Sequence, residues 1–128
     1  MKKILVVDDH EPLRKAVKLL IESKGKKLGY KVFEAANGRE ALEIITKKSP
    51  ELAIVDLMMP EVDGYTLCNE IKVINSEISV IILTAKTDRA TAKEVKLHYQ
   101  PDKFLTKPVD NRVLFETVTE ILEKQDVK

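Results

Sequence analysis

Only one cysteine, Cys68, occurs in the chain, so no internal disulfide can brace it, which suits a reducing cytoplasm. Net charge is almost lacking as well. The 22 basic and 21 acidic residues leave +1, which gives no hint of direct nucleic-acid or membrane binding. No apolar stretch approaches the roughly 20 residues of a membrane span. After Met1-Lys2-Lys3 the apolar run covers only Ile4 to Val7 before two acids arrive, too short for a secretory signal. Internal repeats, low-complexity tracts and linkers are missing too. At 128 residues, 44% hydrophobic and 34% charged, the chain is expected to fold as a single domain, residues 1–128.

What is present is alternating periodicity. KILVVDD carries a continuous apolar run, Ile4 to Val7, as in a strand covered on both faces. EPLRKAVKLLIESK predicts a helix, with Pro12 in its first turn and Leu13, Ala16, Val17, Leu20 and Ile21 at helical spacing; Gly25 can end it. YKVFEAA predicts a second strand, broken by Asn37-Gly38. REALEIITKKS follows as a helix with Ala41, Leu42 and Ile45 on one face, closed by Ser49-Pro50. LAIVD is a third strand, and GYTLCNEIKVI a helix with Leu67, Ile71 and Ile74 inward. ISVIILTA is a fourth strand, DRATAKEVKLHY a fourth helix with a weaker apolar face, and DKFLTK a short fifth strand. Asp110 can cap a last helix running to Lys124, with Val113, Leu114, Val118, Ile121 and Leu122 periodic. This alternation predicts an α/β fold with right-handed crossovers, a doubly wound five-stranded parallel sheet in the order 2-1-3-4-5. Ligands of such sheets bind outside the carboxyl ends of the strands.

The residues at those ends are chemically pointed. Asp8 and Asp9 follow strand one, Asp56 closes strand three, Thr84 closes strand four, and Lys107 closes strand five ahead of Pro108. Any one of these has a plain structural reading: an acidic pair after a strand is commonly a turn or cap, and a lone lysine is commonly a solvated one. Met58 and Met59 alone read as core filler. Together they differ. Carboxylates about 4 Å apart repel by roughly 4 kcal/mol per pair at an effective dielectric near 20. A divalent cation with hard oxygen ligands, Mg²⁺ foremost, relieves that repulsion. A metal, an ammonium and a hydroxyl around one carboxylate make a receptor for a phosphoryl group, and carboxylates serve as nucleophiles that form aspartyl-phosphate.

VVDDHEPLR, AANGREALE, DLMMPEVDG, IILTAK and FLTKP closely resemble, in order, motifs of the receiver domains of bacterial two-component response regulators, and the match runs over nearly the whole chain. The resemblance implies a (βα)5 flavodoxin-like fold and a phosphorylated signalling switch rather than a turnover enzyme. It implies Asp56 as phosphoacceptor, and Mg²⁺, with Mn²⁺ able to substitute, held by Asp8, Asp9, Asp56 and the backbone carbonyl of Met58. Lys107 and Thr84 would bind the phosphoryl group, and Phe104 would be the switch aromatic. The Lys107–Pro108 peptide would be cis. Met58 and Lys86 would flank the hydrolytic water and tune loss of phosphate. A sensor histidine kinase would be the donor, and an output domain or partner protein would read the face made by helix four, strand five and helix five. A phosphorylation-dependent dimer and a cytoplasmic location also follow from the resemblance.

Two departures from the family pattern stand out. SKGKKLGYKV makes the link from helix one to strand two a few residues longer and adds Lys24, Lys26 and Lys27, read here as a solvated basic insert at 24–29. Gln100-Pro101 replaces the family's usual Gly-Ala at the end of helix four, which bears on the output face. The alternative in another class is a haloacid-dehalogenase-type phosphohydrolase, which shares Asp, Thr or Ser, Lys and Mg²⁺. It needs Asp-x-Asp straight after strand one, where this chain has Asp8-Asp9-His10.

Overall fold

The computed structural model describes residues 1–56, 58–59, 62–84, 102–107 and 109–126, with backbone alone at 58–59, 62–65 and 84. In chain order the elements are β1 (Lys2–Val7), α1 (Glu11–Lys24), a 3-10 turn (Lys26–Leu28), β2 (Tyr30–Ala35), α2 (Gly38–Lys48), β3 (Leu52–Asp56), α3 (Gly64–Ile74), β4 (Ser79–Thr84), β5 (Lys103–Thr106) and a last helix (Asn111–Asp126). A two-residue antiparallel pair, Met58–Met59 against Val62–Asp63, sits between β3 and α3. The fourth helix expected from the sequence, and Gln100-Pro101 after it, lie outside the described residues.

The five long strands form one parallel sheet in the order β2-β1-β3-β4-β5, as expected. Alternate residues of each strand face opposite sides, and both sides are covered. Leu5, Val7, Ala53, Val55, Val80 and Ile82 pack with Ala41 and Ile45 of α2 and Leu67, Cys68 and Ile71 of α3. Ile4, Val6, Leu52, Ile54, Ile81 and Leu83 pack with Ile21 of α1 and Leu114, Val118 and Leu122 of the last helix. Two covered faces leave no position for a polar residue, so the central strands read as unbroken apolar runs. Cys68 belongs to this core, and burial pushes its thiol up to about 11, so it is chemically quiet. Among the described residues no helix is long and apolar enough to cross a membrane.

Four positions expected inward are not. Leu13 is 46% exposed, Ile74 49% and Val113 46%, and Ala16 is exposed as well. Three of them, Leu13, Ile74 and Val113, lie in terminal turns. At 14 and 16 residues, α1 and the last helix are about 21 and 24 Å long and run slightly past a six-residue strand of roughly 20 Å, whereas α3, with 11 residues, is shorter than such a strand and exposes Ile74 as its final residue. In α1 the residue turned toward the sheet near the start is Arg14 instead, which bonds Glu34 on β2.

The insert is built on two glycines. Gly29 takes a left-handed φ of 73°, and the backbone N–H of Lys2 donates to its carbonyl at 3.1 Å, which anchors the turn at the start of β1. Gly25 leaves no room for a side chain: a Cβ there would stand 2.3 Å from the Tyr30 ring. The insert therefore sits at the amino ends of the strands. β2 is an edge strand, and Glu22 of α1 covers one of its outward donors by accepting from Val32 N–H at 3.1 Å. The other edge, β5, is tied at its start by Asp102, which accepts from Val80 N–H at 2.7 Å and pairs with Lys72 of α3 at 2.9 Å.

Ile81 is fully buried on the central sheet, so Ile81→Ala should lower unfolding free energy by about 2–5 kcal/mol, whereas Leu19→Ala, at a 69% exposed site, should stay within about 0.5 kcal/mol of the parent; urea titration reads both. A second test concerns Glu34, which Arg14 holds at 3.0 Å, with Lys15 at 3.3 Å and Lys18 at 3.6 Å. Burial pushes this carboxyl up, but the hydrogen bonds and charges of those three side chains together hold it below its ordinary value. A depressed acid stabilises the fold above its unfolded pKa and loses that contribution as pH falls through the folded one. Glu34→Gln should therefore be less stable by about 1–2 kcal/mol at pH 7, with the deficit intact just above the carboxylate range and fading as pH drops below it.

Candidate functional site

Strand register brings the acids together. In parallel pairing Val7 of β1 lies opposite Val55 of β3, so the next residues, Asp8 and Asp56, stand side by side at the carboxyl ends. Asp56 in turn lies opposite Leu83, and Thr84 lies opposite Thr106, which directly precedes Lys107. Four strands, β1, β3, β4 and β5, and the segments that leave them thus deliver their polar residues to one rim.

At that rim one carboxylate oxygen each from Asp8, Asp9 and Asp56 lie within 4.8 Å of one another. Asp8 and Asp56 are buried, at 5% and 6% exposure, while Asp9 is exposed. The Lys107 ammonium sits 3.2 Å from Asp56 Oδ2 and 3.7 Å from Asp8 Oδ2. Burial pushes the Asp8 carboxyl up. The His10 N–H that donates to it at 2.9 Å and the Lys107 charge pull the other way, while the Asp56 charge and a hydrogen bond shared with Asp56 add to the rise. The net direction is up.

Three carboxylates against one ammonium leave two negative charges over among these four groups. At such separations each acid pair repels by roughly 3–4 kcal/mol at an effective dielectric near 20. An all-oxygen cluster with two buried members and one open to solvent fits a hard divalent cation that keeps part of its water shell. The buried Asp56, beside a fixed cation, is also suited to nucleophilic attack on a phosphoryl group.

Of the residues expected at the site, Asp8, Asp9, Asp56 and Lys107 converge. The Met58 backbone lies two residues past Asp56, in the short strand paired with Asp63. Thr84 ends β4 one residue beyond the partner of Asp56. Phe104, opposite Ile82, is half-buried against the core on the α2 and α3 side of the sheet. Lys86 and Pro108, and with Pro108 the expected cis peptide, lie outside the described residues. The structure adds groups that the sequence did not single out. His10 caps α1, its Nδ1 accepting from Leu13 N–H at 3.4 Å. Arg14 donates to the Asp8 carbonyl at 2.9 Å and reaches across to Glu34. The one sequence signal for Arg14 was a cation close to a helix N-terminus, where the helix dipole favours an acid.

Comparison with known proteins agrees with this geometry. Residues 4–119 match the model of the response regulator receiver domain. A probable transcriptional regulator, ycf27, from Porphyridium aerugineum is 34% identical over 98% of this chain and 50% of its own length, and ycf27 from Cyanidium caldarium is 39% identical over 94% and 46%. The chain thus spans about half the length of these curated relatives. Sporulation initiation phosphotransferase F of Bacillus subtilis is 40% identical over 74% of this chain and 73% of its own. Among solved structures, a CheY-like receiver domain protein from Methanospirillum hungatei superposes with a TM-score of 0.88 at 28% identity, covering 98% of this chain and 97% of that one. None of this supports the phosphohydrolase alternative. With its parallel (βα) sheet and acidic rim, the chain belongs to the response regulator receiver domains of two-component systems.

Proposed function

We propose that the chain takes a phosphoryl group from a phosphohistidine of a sensor kinase onto Asp56 and relays that event to an output domain or partner protein. One observation carries this reading: the buried Asp56 carboxylate ends a central strand with Lys107 at 3.2 Å and two further acids within 4.8 Å. An Asp56 oxygen attacks phosphorus, the P–N bond breaks, and its electron pair leaves with the imidazole nitrogen, which takes a proton from solvent. Lys107 is near enough to follow the charge onto the new phosphoryl oxygens, and the Thr84 hydroxyl is assigned one further hydrogen bond to them. Asp8, Asp9 and Asp56, with the Met58 carbonyl, would hold Mg²⁺, or Mn²⁺ in its place, which when bound neutralises charge on the phosphoryl oxygens.

Phosphorylation adds charge and acceptor oxygens to a rim that already carries excess negative charge. We assign the switch to Lys107, Thr84 and Phe104, and the readout to the face built from β5, the last helix and the segment before β5. The relatives named as transcriptional regulators are about twice this length, which supports an output carried elsewhere rather than direct nucleic-acid binding by this domain. A phosphorylation-dependent dimer and a cytoplasmic setting accompany this reading.

Incubation with phosphoramidate or acetyl phosphate and Mg²⁺ should add the mass of one phosphoryl group to the intact chain. The Asp56→Asn variant should gain none, and an equal gain in that variant would refute the assignment. Met58 is assigned to slow hydrolysis by crowding the water path, so Met58→Asn should lose its phosphoryl group faster, by up to about tenfold, the worth of one hydrogen bond of about 1 kcal/mol to the attacking water. A decay rate equal to the parent's, followed by mass spectrometry, would remove Met58 from that role.

A further inference from the structure

We propose that Arg14, held by Glu34, is a positioning residue that sets the divalent-cation affinity of the acidic rim by fixing the peptide between Asp8 and Asp9. The proposal rests on the phosphoacceptor reading above, since it assumes that those acids hold a cation.

Besides the Lys107 contact at its Oδ2, Asp8 is held by hydrogen bonds at three atoms. Its backbone N–H donates to Ala35 O at 3.1 Å, its Oδ1 accepts from His10 N–H at 2.9 Å, and its carbonyl accepts from Arg14 Nη1 at 2.9 Å. The third contact matters most for the neighbour. The Asp8 carbonyl and the Asp9 N–H belong to one planar peptide unit, so a bond that fixes the carbonyl fixes the plane from which the Asp9 side chain departs. Asp9 is exposed, and among the described residues no hydrogen bond or ion pair of its own holds its side chain. Its placement against the buried Asp8 and Asp56 therefore depends on the backbone beneath it.

Arg14 can act this way because it is itself fixed. Its Nε donates to Glu34 Oε1 at 3.0 Å, and its side chain is only 12% exposed. The planar guanidinium thus spans two strands, from Glu34 on β2 to the end of β1, with two donors in a rigid fork. A lysine could pair with Glu34 or reach the carbonyl, but its single ammonium has no fork to hold both directions. Lys15 and Lys18 surround the same carboxylate and keep Glu34 ionised, so it goes on holding Arg14.

The charge effect of Arg14 has the opposite sign. Removing a cation near an acidic site would by itself strengthen cation binding, whereas losing the positioning bond would weaken it. Outer partners of this kind commonly alter metal affinity by about tenfold or more. Arg14 is paired with Glu34 at 3.0 Å, so the two charges largely offset each other as seen from the rim, and variants that keep the net charge of this pair isolate the positioning effect. We expect the positioning effect to win.

The test is Mg²⁺ titration by calorimetry on the parent, on Arg14→Lys, which keeps the charge, and on the double variant Arg14→Gln with Glu34→Gln, which leaves net charge unchanged. Both variants should bind Mg²⁺ about tenfold more weakly than the parent, below their melting temperatures. In phosphoramidate labelling the half-saturating Mg²⁺ should rise by about the same factor, while the rate at saturating Mg²⁺ stays within about twofold. If the double variant fails to fold, Arg14→Lys carries the comparison alone. Parent-like affinity in the folded variants, or a loss of rate at saturating Mg²⁺ with unchanged affinity, overturns the positioning role and leaves the phosphoacceptor reading standing. A parent that binds no Mg²⁺ and takes up no phosphoryl group overturns both.

Discussion

Two buried carboxylates, Asp8 and Asp56, face one ammonium, that of Lys107, and the molecule is arranged around that imbalance. Like charges this close are costly in a poorly solvated site, and among the described residues Lys107 and the His10 N–H offset only part of the cost. The stability that tolerates it comes from the sheet below, where β1, β3 and β4 are buried on both faces. The same strands that supply this apolar core end in the polar residues of the site. Stability and chemistry are thus stacked along single strands, and moving the register by one residue would misplace both.

The parallel arrangement explains why the two ends of the sheet differ. All carboxyl ends share one rim, so acids and lysine meet there. The amino ends carry the longer link between α1 and β2, accommodated by the close approach at Gly25 and the left-handed Gly29. An insertion at that end adds loop-closure cost, which rises slowly with length, and leaves the acids in place. β5 connects the two ends in a different way. Its start is tied through Asp102 to Lys72 and Val80, and its far end reaches Asp56 through Lys107. A change of charge at Asp56 therefore acts on a strand already anchored at its other end.

Much of this was legible beforehand. Continuous apolar runs such as Ile4 to Val7 and Val80 to Leu83 separated by helical periodicity are the local signature of a doubly covered parallel sheet, and the observed strand order is the expected one. Asp8, Asp9, Asp56 and Lys107 were identifiable because strand ends in such a sheet must converge. The misses have physical reasons. Leu13, Ile74 and Val113 satisfy helical spacing but sit in terminal turns, and spacing carries no information on where a helix ends relative to its support. Arg14 and Glu34 lie far apart in sequence and belong to elements whose pairing only the fold supplies.

The sequence by itself determined the layering, the strand order and the acids and lysine available to the rim, because hydrophobic period and strand ends are local properties of the chain. Only the tertiary structure decided which oxygens lie within 4.8 Å, that Lys107 serves Asp56 and Asp8 together, and that Arg14 spans from Glu34 to the Asp8 carbonyl. Those facts depend on the register between strands and the rotation of α1 against the sheet, which are set by packing among residues distant in sequence.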